Sequence, residues 1–575
     1  MKIKFCGAAE SVTGSCHLVT ASSENAGDAN VQFLLDCGQF QGSSRQEAQN
    51  LEPFPFDPAK VDYLILSHAH IDHCGRIPLL VKRGFTGKIY CTDATADLLG
   101  IMLRDSAHIH EQETEWANRK AARAGRPLVE PLYTQADAEE SLKFVNPILY
   151  DQQISPSEGI KLVFNEAGHI LGSAIVELWI TENGEEKKLV FSGDLGASNR
   201  PLLRDPTVIK KADYVIMEST YGNRLHKESE ASIKDLANII ETTTERGGSV
   251  IIPSFAVGRT QDLIYELNEY YEHGEKGTTP NTQIKVFIDS PMATAATEVF
   301  KNNIANFDEA TKSMILAGDD PLDFVNLRFT KTTDDSKALN ADRTPKVIIS
   351  ASGMCEAGRI RHHLKHHLWD PKASIVFVGY QAEGTLGRKI IEGAKTVMLF
   401  GEEIYVNAQI HNLQGFSAHA DKDGLIGWAR GFEVKPKEYF LVHGEYQAKK
   451  DLAGFISEAC GFEPTVIEQI GEFDLTDLDW VKNEDAKKTS GEEAAVTAVK
   501  PKASIDEEDK SKLLDKIKGI NDNLENVLYE AKLAAAGAAD DGDEEKVAAI
   551  RNIILNLEKD TIKLATELAE TDKED

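Results

Sequence analysis

Short apolar runs broken by glycine turns make up the chain to about residue 215. Val31–Leu35, Val61–Leu66, Lys161–Phe164, Ala174–Ile180, Lys188–Phe191 and Tyr214–Met217 carry β-type apolar positions and predict strands. Met1–Cys6 reads as a first strand. From about 220 to 385 helical patterns alternate with the parallel-type strands Ser249–Pro253, Ile284–Ile288, Val347–Ser350 and Ile375–Val378, which predicts an α/β unit. From about 386 to 470 strands with polar residues at their ends return. The order predicts a split domain (1–217 and 386–480) that carries an inserted α/β unit (218–385). Residues 481–505, rich in Lys, Glu, Ala, Ser and Thr, read as a linker. Two amphipathic helices are predicted within 506–575. One carries Leu513, Ile517, Ile520, Leu524 and Leu528, and the other Val547, Ile550, Ile554, Leu557, Leu564 and Leu568.

Composition narrows the class. A chain of 575 residues is too long for one core, so several domains are expected. No apolar run approaches the ~20 residues of a membrane span. Nothing behind Lys2 and Lys4 has the apolar core of a signal peptide. The seven cysteines form no Cys-x-x-Cys pair, which points to a reducing cytoplasm without disulfides. Net charge is −30. Residues 481–575 hold 15 Lys+Arg against 24 Asp+Glu, so most of the excess lies on the globular part. A polyanion-binding protein should show a basic face. Either the ligand is not a nucleic acid, or metal cations and a local basic patch attract it.

The chemistry is concentrated in His68-Ala69-His70-Ile71-Asp72-His73, directly after the apolar run Val61–Leu66. Four metal-binding side chains in six residues suit a divalent cation such as zinc. One ion does not easily take all four. His68 and His70 are expected to face one metal and Asp72 and His73 another, an arrangement suited to in-line attack on a phosphoryl group. His169, Asp194 and His443 each lie beside glycine at the end of an apolar run.

This set resembles the metallo-β-lactamase superfamily, with its His-x-His-x-Asp-His signature and distant His, Asp and His ligands. Asp36, in Leu34-Leu35-Asp36-Cys37-Gly38, looks like that superfamily's first-motif aspartate, which orients a ligating histidine. A narrower resemblance is to the β-CASP nucleases. It rests on Glu218–Arg224, Phe416–Asp421 and Val442–Glu445, with Ser352-Gly353-Met354 and Gly379–Arg388. It is nearest to the branch of the pre-mRNA 3′-end cleavage endonuclease and its bacterial and archaeal relatives, and covers residues 1 to about 470.

The resemblance implies an αββα metallo-β-lactamase sandwich and an inserted α/β β-CASP domain; the C-terminal helical hairpin predicted from its apolar spacing lies outside it. It implies two zinc ions: one on His68, His70 and His169, the other on Asp72, His73 and His443, with Asp194 bridging. His419 would be the general acid that protonates the leaving 3′ oxygen, oriented by Glu218. The products would carry 5′-phosphate and 3′-hydroxyl ends, from internal cuts, from the 5′ end, or both. His443 at the third motif tilts the substrate towards RNA, and a narrow cleft between domains suits a single strand.

Other residues have plainer readings. His17 reads as a core or turn residue, and His108 and His110 as part of a helix. Arg359–His367 is read as a partly basic helix near the RNA path, in preference to a third metal site. Cys74 and Cys355 read as structural. Glycine-rich turns make Ser254, Arg259, Ser352, Gly353, Arg359 and Arg388 candidate phosphate contacts, though tight-turn packing explains most equally well. The tail helices suggest a homodimer or a protein partner. Two rival functions stand beside the ribonuclease: a small-molecule metallohydrolase of thioesterase or lactonase type, which the acidity favours, and an inactive scaffold. Glu218, His419 and the long insertion oppose the first, and the intact ligand set opposes the second.

Overall fold

The computed structural model describes residues 1–22, 30–226, 229–272, 284–382 and 384–481. The tail expected as a linker and helical hairpin lies outside the described residues, apart from residue 481.

Two sheets form a sandwich. The first has eight strands, in the spatial order Asp479–Trp480, Gly471–Asp474, Lys2–Phe5, His17–Ser22, Asn30–Leu35, Tyr63–Ile65, Lys88–Thr92 and Val145–Ile148. Its last four strands are parallel, in register Phe33↔Tyr63 and Leu64↔Ile89. The second has seven strands, in the order Thr465–Val466, Glu438–Leu441, Tyr214–Met217, Glu185–Phe191, Ala174–Glu182, Ile160–Glu166 and Ile154–Ser157. Glu185–Phe191, Tyr214–Met217 and Glu438–Leu441 run parallel as neighbours.

Alternation explains why these strands read as continuous apolar runs. Tyr63 and Ile65 point between the sheets, with Phe33, Phe164, Val176, Phe191 and Ile216. Leu64 and Leu66 point the other way, onto the helices Ile77–Lys82 and Asp93–Arg123. On the second sheet Val215, Met217 and Leu441 turn outward onto the helices Lys422–Ala429 and Tyr446–Cys460. Both faces of each sheet are covered, so both residue parities must be apolar. This is the αββα arrangement that the resemblance implied.

The inserted unit is a third, parallel sheet in the order Leu327–Phe329, Val286–Ile288, Val347–Ser350, Val250–Pro253, Ser374–Phe377 and Gln409–Asn412. Here the structure differs from the expected boundary at 385. Gln409–Asn412 pairs with Ser374–Phe377 and completes this sheet. The hairpin Thr396–Leu399/Glu402–Tyr405 packs on the same unit through Val397 and Leu399. The strand Gln-Ile-His-Asn lies at an edge and is largely solvent-facing, so it carries no apolar period to read. Ala69, Ile170, Leu171 and Leu202 of the sandwich share one apolar cluster with Ile252, Val257 and Leu413 of the inserted unit. The insertion therefore packs directly over the loops that leave the sandwich strands.

Two glycines allow those loops to close on one another. A Cβ on Gly38 would lie 1.6 Å from the Asp72 carbonyl oxygen, and one on Gly196 1.8 Å from that of Gly168. Gly427 and Gly454 sit exposed in helices with nothing within 4 Å of a Cβ. Gly38→Ala is expected to destabilise the fold by about 1–3 kcal/mol, because backbone must move. Gly427→Ala is expected to stabilise it by about 0.5–1 kcal/mol. Denaturant unfolding measures both, and a Gly38→Ala protein as stable as its parent would contradict the packing described.

Candidate metal centre

Parallel strands that end side by side deliver the polar residues to one place. Asp36 follows Asn30–Leu35, and His68 follows its parallel neighbour Tyr63–Ile65. Asp194, Glu218 and His443 follow three adjacent parallel strands of the second sheet. His169 comes from the turn before Ala174–Glu182, where its N–H donates to Ser173 Oγ at 3.0 Å. Asp36 and His443 adopt left-handed backbone, φ 60° and 53°. For His443 that conformation costs about 1–2 kcal/mol, and such strain concentrates at functional sites.

The donor atoms fall into three groups, His68–His70–His169–Asp194, Asp72–His73–His443 and the overlapping Asp194–Glu218–His443, each with its atoms within 4.8 Å of one another. His70 Nδ1 is 3.1 Å from both His68 Nε2 and His169 Nε2. His73 Nε2 is 3.2 Å from His443 Nε2, and His443 Nε2 is 3.5 Å from Asp72 Oδ2. Asp194 joins the groups: its Oδ2 lies 3.6 Å from His68 and His169 and 3.3 Å from His73, and its Oδ1 3.5 Å from His443 Nδ1.

These residues fit metal ions on chemical grounds. Lone pairs of buried imidazoles and carboxylates face each other, and Asp194 Oδ1, inside the cluster, has no hydrogen-bond partner. Such a pocket is costly unless cations occupy it. Burial, reinforced by neighbouring histidines, holds His68 and His169 well below the usual histidine pKa, and burial holds His70 at about 4. Neutral imidazole is the ligating form. Burial opposes the His73 imidazolium too, but Asp194 and Asp36 outweigh it and hold that pKa well above the usual value. Burial also opposes the Asp194 carboxylate, yet His443 and His73 keep its pKa well below the usual carboxylate range.

Asp36 is an orienting residue. It is fully buried and accepts from Ser67 N–H (2.8 Å), Ser67 Oγ (2.9 Å) and Ser15 Oγ (3.0 Å), and its Oδ2 lies 2.7 Å from His73 Nδ1. That bond turns His73 Nε2 towards the other donors. Ser15 and Ser67 had no sequence signal, because their role exists only once the two strand ends meet.

Glu218 and His419 are brought beside the donors. Glu218 accepts from the Leu195 N–H at 2.6 Å and the Thr220 N–H at 3.3 Å. Both its oxygens lie 3.2 Å from His419 Nδ1. His419 Nδ1 is 3.9 Å from Asp194 Oδ2, and its ring centroid is 4.4 Å from that of His169. An antiparallel bridge places this histidine: Gly196 pairs with His419, and the Ala420 N–H donates to Leu195 O at 2.7 Å. Burial works against its positive charge, but Glu218 and Asp194 outweigh it and raise the pKa. Two further contacts were invisible in sequence. Thr220 Oγ1 lies 3.2 Å from His443 Nδ1, and Tyr380 Oη donates to Glu445 at 2.5 Å.

The candidate phosphate contacts separate. Ser254 and the Ser352–Gly353 turn lie around Phe255, which touches a Cβ placed on Gly353 and whose ring centroid is 6.3 Å from that of His70. The three arginines are already engaged. Arg259 is buried against Asp262, which also takes Arg200. Arg359 pairs with Asp289 at 2.6 Å, and Arg388 with Glu392 at 2.5 Å. The expected basic helix, observed as Ile360–His367, is also compensated. His363 Nε2 lies 2.6 Å from the same Asp289, and His363 and His367 are buried. Among the described residues no metal-ligand group forms there. His17 is a core residue, wedged between the Phe5 and Phe191 rings, with burial lowering its pKa to about 4. His108 and His110 lie in the helix Asp93–Arg123, and Cys74 and Cys355 are buried.

Three family models match the chain: the metallo-beta-lactamase superfamily over residues 14–239, the Beta-Casp domain over 260–390, and the Zn-dependent metallo-hydrolase RNA specificity domain over 403–466. Ribonuclease TTHA0252 of Thermus thermophilus is 39% identical over 445 residues, 77% of this chain and 93% of that protein. Transcription termination factor FttA of Methanocaldococcus jannaschii is 33% identical, over 79% of this chain and 68% of that protein. An RNase J-like protein of the same archaeon is 32% identical, over 76% and 92%. The paired donor groups, the inserted parallel sheet and these matches agree: the chain belongs to the β-CASP branch of the metallo-β-lactamase superfamily.

Proposed function

We propose that this protein is a zinc-dependent ribonuclease. It hydrolyses phosphodiester bonds of single-stranded RNA in the cytoplasm, in RNA processing or decay, leaving 5′-phosphate and 3′-hydroxyl ends. The observation that carries the reading is His419, held by Glu218 within 3.9 Å of the bridging carboxylate Asp194. A thiolate leaves without such an acid, whereas the 3′ alkoxide of RNA needs its proton. The match to an RNA specificity domain and the relative named a ribonuclease support RNA over a small-molecule substrate. No helix among the described residues is long and apolar enough to cross a membrane.

His68, His70 and His169 would hold one zinc ion and Asp72, His73 and His443 a second, with Asp194 offered to both. The ions would activate water at neutral pH and neutralise charge on the phosphoryl oxygens. Asp36 fixes the tautomer and direction of His73. Glu218 holds His419 by Nδ1, so that a proton on the other ring nitrogen is the one delivered to the 3′ oxygen. Ser254 and the Ser352–Gly353 turn, next to His70 through Phe255, contact the phosphates on the insertion side. The engaged arginines hold these loops in place.

Three outcomes are expected. His419→Ala should lower cleavage of a labelled single-stranded RNA by about 10²–10⁴-fold while bound zinc stays near two per chain; unchanged turnover would exclude His419 as the acid. Asp36→Ala should weaken zinc binding by about 10–100-fold in chelator competition, and wild-type affinity would contradict the orienting role. Asp72→Ala should lose metal and activity together, and a variant that keeps both metals would show that Asp72 is no ligand.

A further inference from the structure

The helix Asp93–Arg123 runs well past the sandwich that buries its first half. Its far end exposes Trp116, 61% accessible, with Lys120 Nζ 3.5 Å from the ring centroid. Trp116, Arg119, Lys120 and Arg123 are spaced i, i+3, i+4 and i+7, so they share one face. The chain then folds back. Asn118 clamps Val129 through two hydrogen bonds of 2.9 Å, leaving Arg126, Leu128 and Val129 exposed beside the helix end.

Charge sets this face apart. Residues 116–129 hold four cations and no Asp or Glu, between Glu115 and Glu130, in a chain of net charge −30. Arg119 pairs with Glu115 of the preceding turn. Lys120, Arg123 and Arg126 form no ion pair among the described residues. Exposed cations around an exposed indole form the combination that takes up single-stranded nucleic acid: bases stack on the ring and phosphates neutralise the charges.

Position ties the face to the cleft. One turn before Trp116, Glu113 is within electrostatic reach of Arg361 in the inserted unit, which counters the effect of burial on its carboxyl. Arg361 in turn lies over the ring of Phe400, which is half-exposed. The helix itself lies where sandwich and insertion meet, since Asn303 of the inserted unit donates to Asp97 at 3.0 Å, and the face extends beyond that contact. At the other end of the helix, Thr95 Oγ1 bonds to Gly172 O in the His169 loop. Trp116 stands about 30 Å along the helix from that point.

We propose that Trp116, with Lys120, Arg123 and Arg126, is a stacking platform for the part of a single-stranded RNA that extends beyond the cleft. The proposal rests on the ribonuclease reading. It gives an acidic protein a local surface for a polyanion, and it makes affinity depend on strand length. A tetranucleotide at the metal centre does not span about 30 Å, whereas a thirty-nucleotide strand does.

The test is fluorescence anisotropy of the full-length protein with labelled oligouridines of four and thirty nucleotides, read alongside cleavage. Trp116→Ala is expected to reduce the preference for the long strand about tenfold, and Trp116→Tyr to restore most of it. Replacing Lys120, Arg123 and Arg126 by Ser should flatten the salt dependence of long-strand binding by about two units of log–log slope. Unaltered affinity and slope in these variants would overturn the platform. Altered self-association with RNA binding intact would overturn it too, and assign the face to a second copy. Binding does not require cleavage, so the two readings fail separately. Long RNA held through Trp116 but never cut would sink the ribonuclease reading alone. RNA cut normally, with Trp116→Ala binding like wild type, would sink the platform alone.

Discussion

Buried lone pairs that face one another are the constraint on which the rest of this structure depends. Five histidines and Asp72 converge around Asp194 with their donor atoms 3.1–3.6 Å apart. Without cations these groups are buried with little beyond Asp36, Asp72 and Asp194 to balance five imidazoles. In the proposed reading, cations turn them into a pair of metal shells that share one carboxylate. Much of the surrounding architecture serves to hold that arrangement: parallel strand ends brought level, glycines that let loops touch, and Asp36 locking His73 from behind.

The insertion completes the chemistry. His419 comes from the segment that follows the last strand of the third sheet, and it reaches Asp194 only because residues 195–197 and 418–420 pair. Arg200 fastens Ser417 and Asp262 together, so the loop that carries His419 is tied to both units. A movement of the inserted sheet against the sandwich would therefore move His419 relative to Asp194 and the other donors. In the proposed mechanism, catalysis and domain packing are coupled through this one loop.

Much of this was legible in the sequence, for a physical reason. Metal ligands must be of a few residue types, and the strands that carry them are buried on both faces. His68–His73, His169, Asp194 and His443 therefore stood out, as did Tyr214–Met217. What could not be read depends on partners distant in sequence. Gln409–Asn412 is a polar edge strand without apolar alternation, so the expected boundary fell short of it. The histidine-dense helix looked basic because Asp289, seventy-four residues before His363, is not visible as its counter-ion. Arg259 looked like an anion site until Asp262 and Arg200 were seen beside it. Ser15 and Ser67 are ordinary serines until Asp36 lies between them.

The central claim is that the donor set holds two metals with Asp194 between them. Anomalous diffraction from crystals of the zinc-loaded protein, recorded on either side of the zinc absorption edge, tests it most directly. The expected result is two peaks flanking Asp194, one against His68, His70 and His169 and the other against Asp72, His73 and His443. A single peak, or two that do not share Asp194, would contradict it.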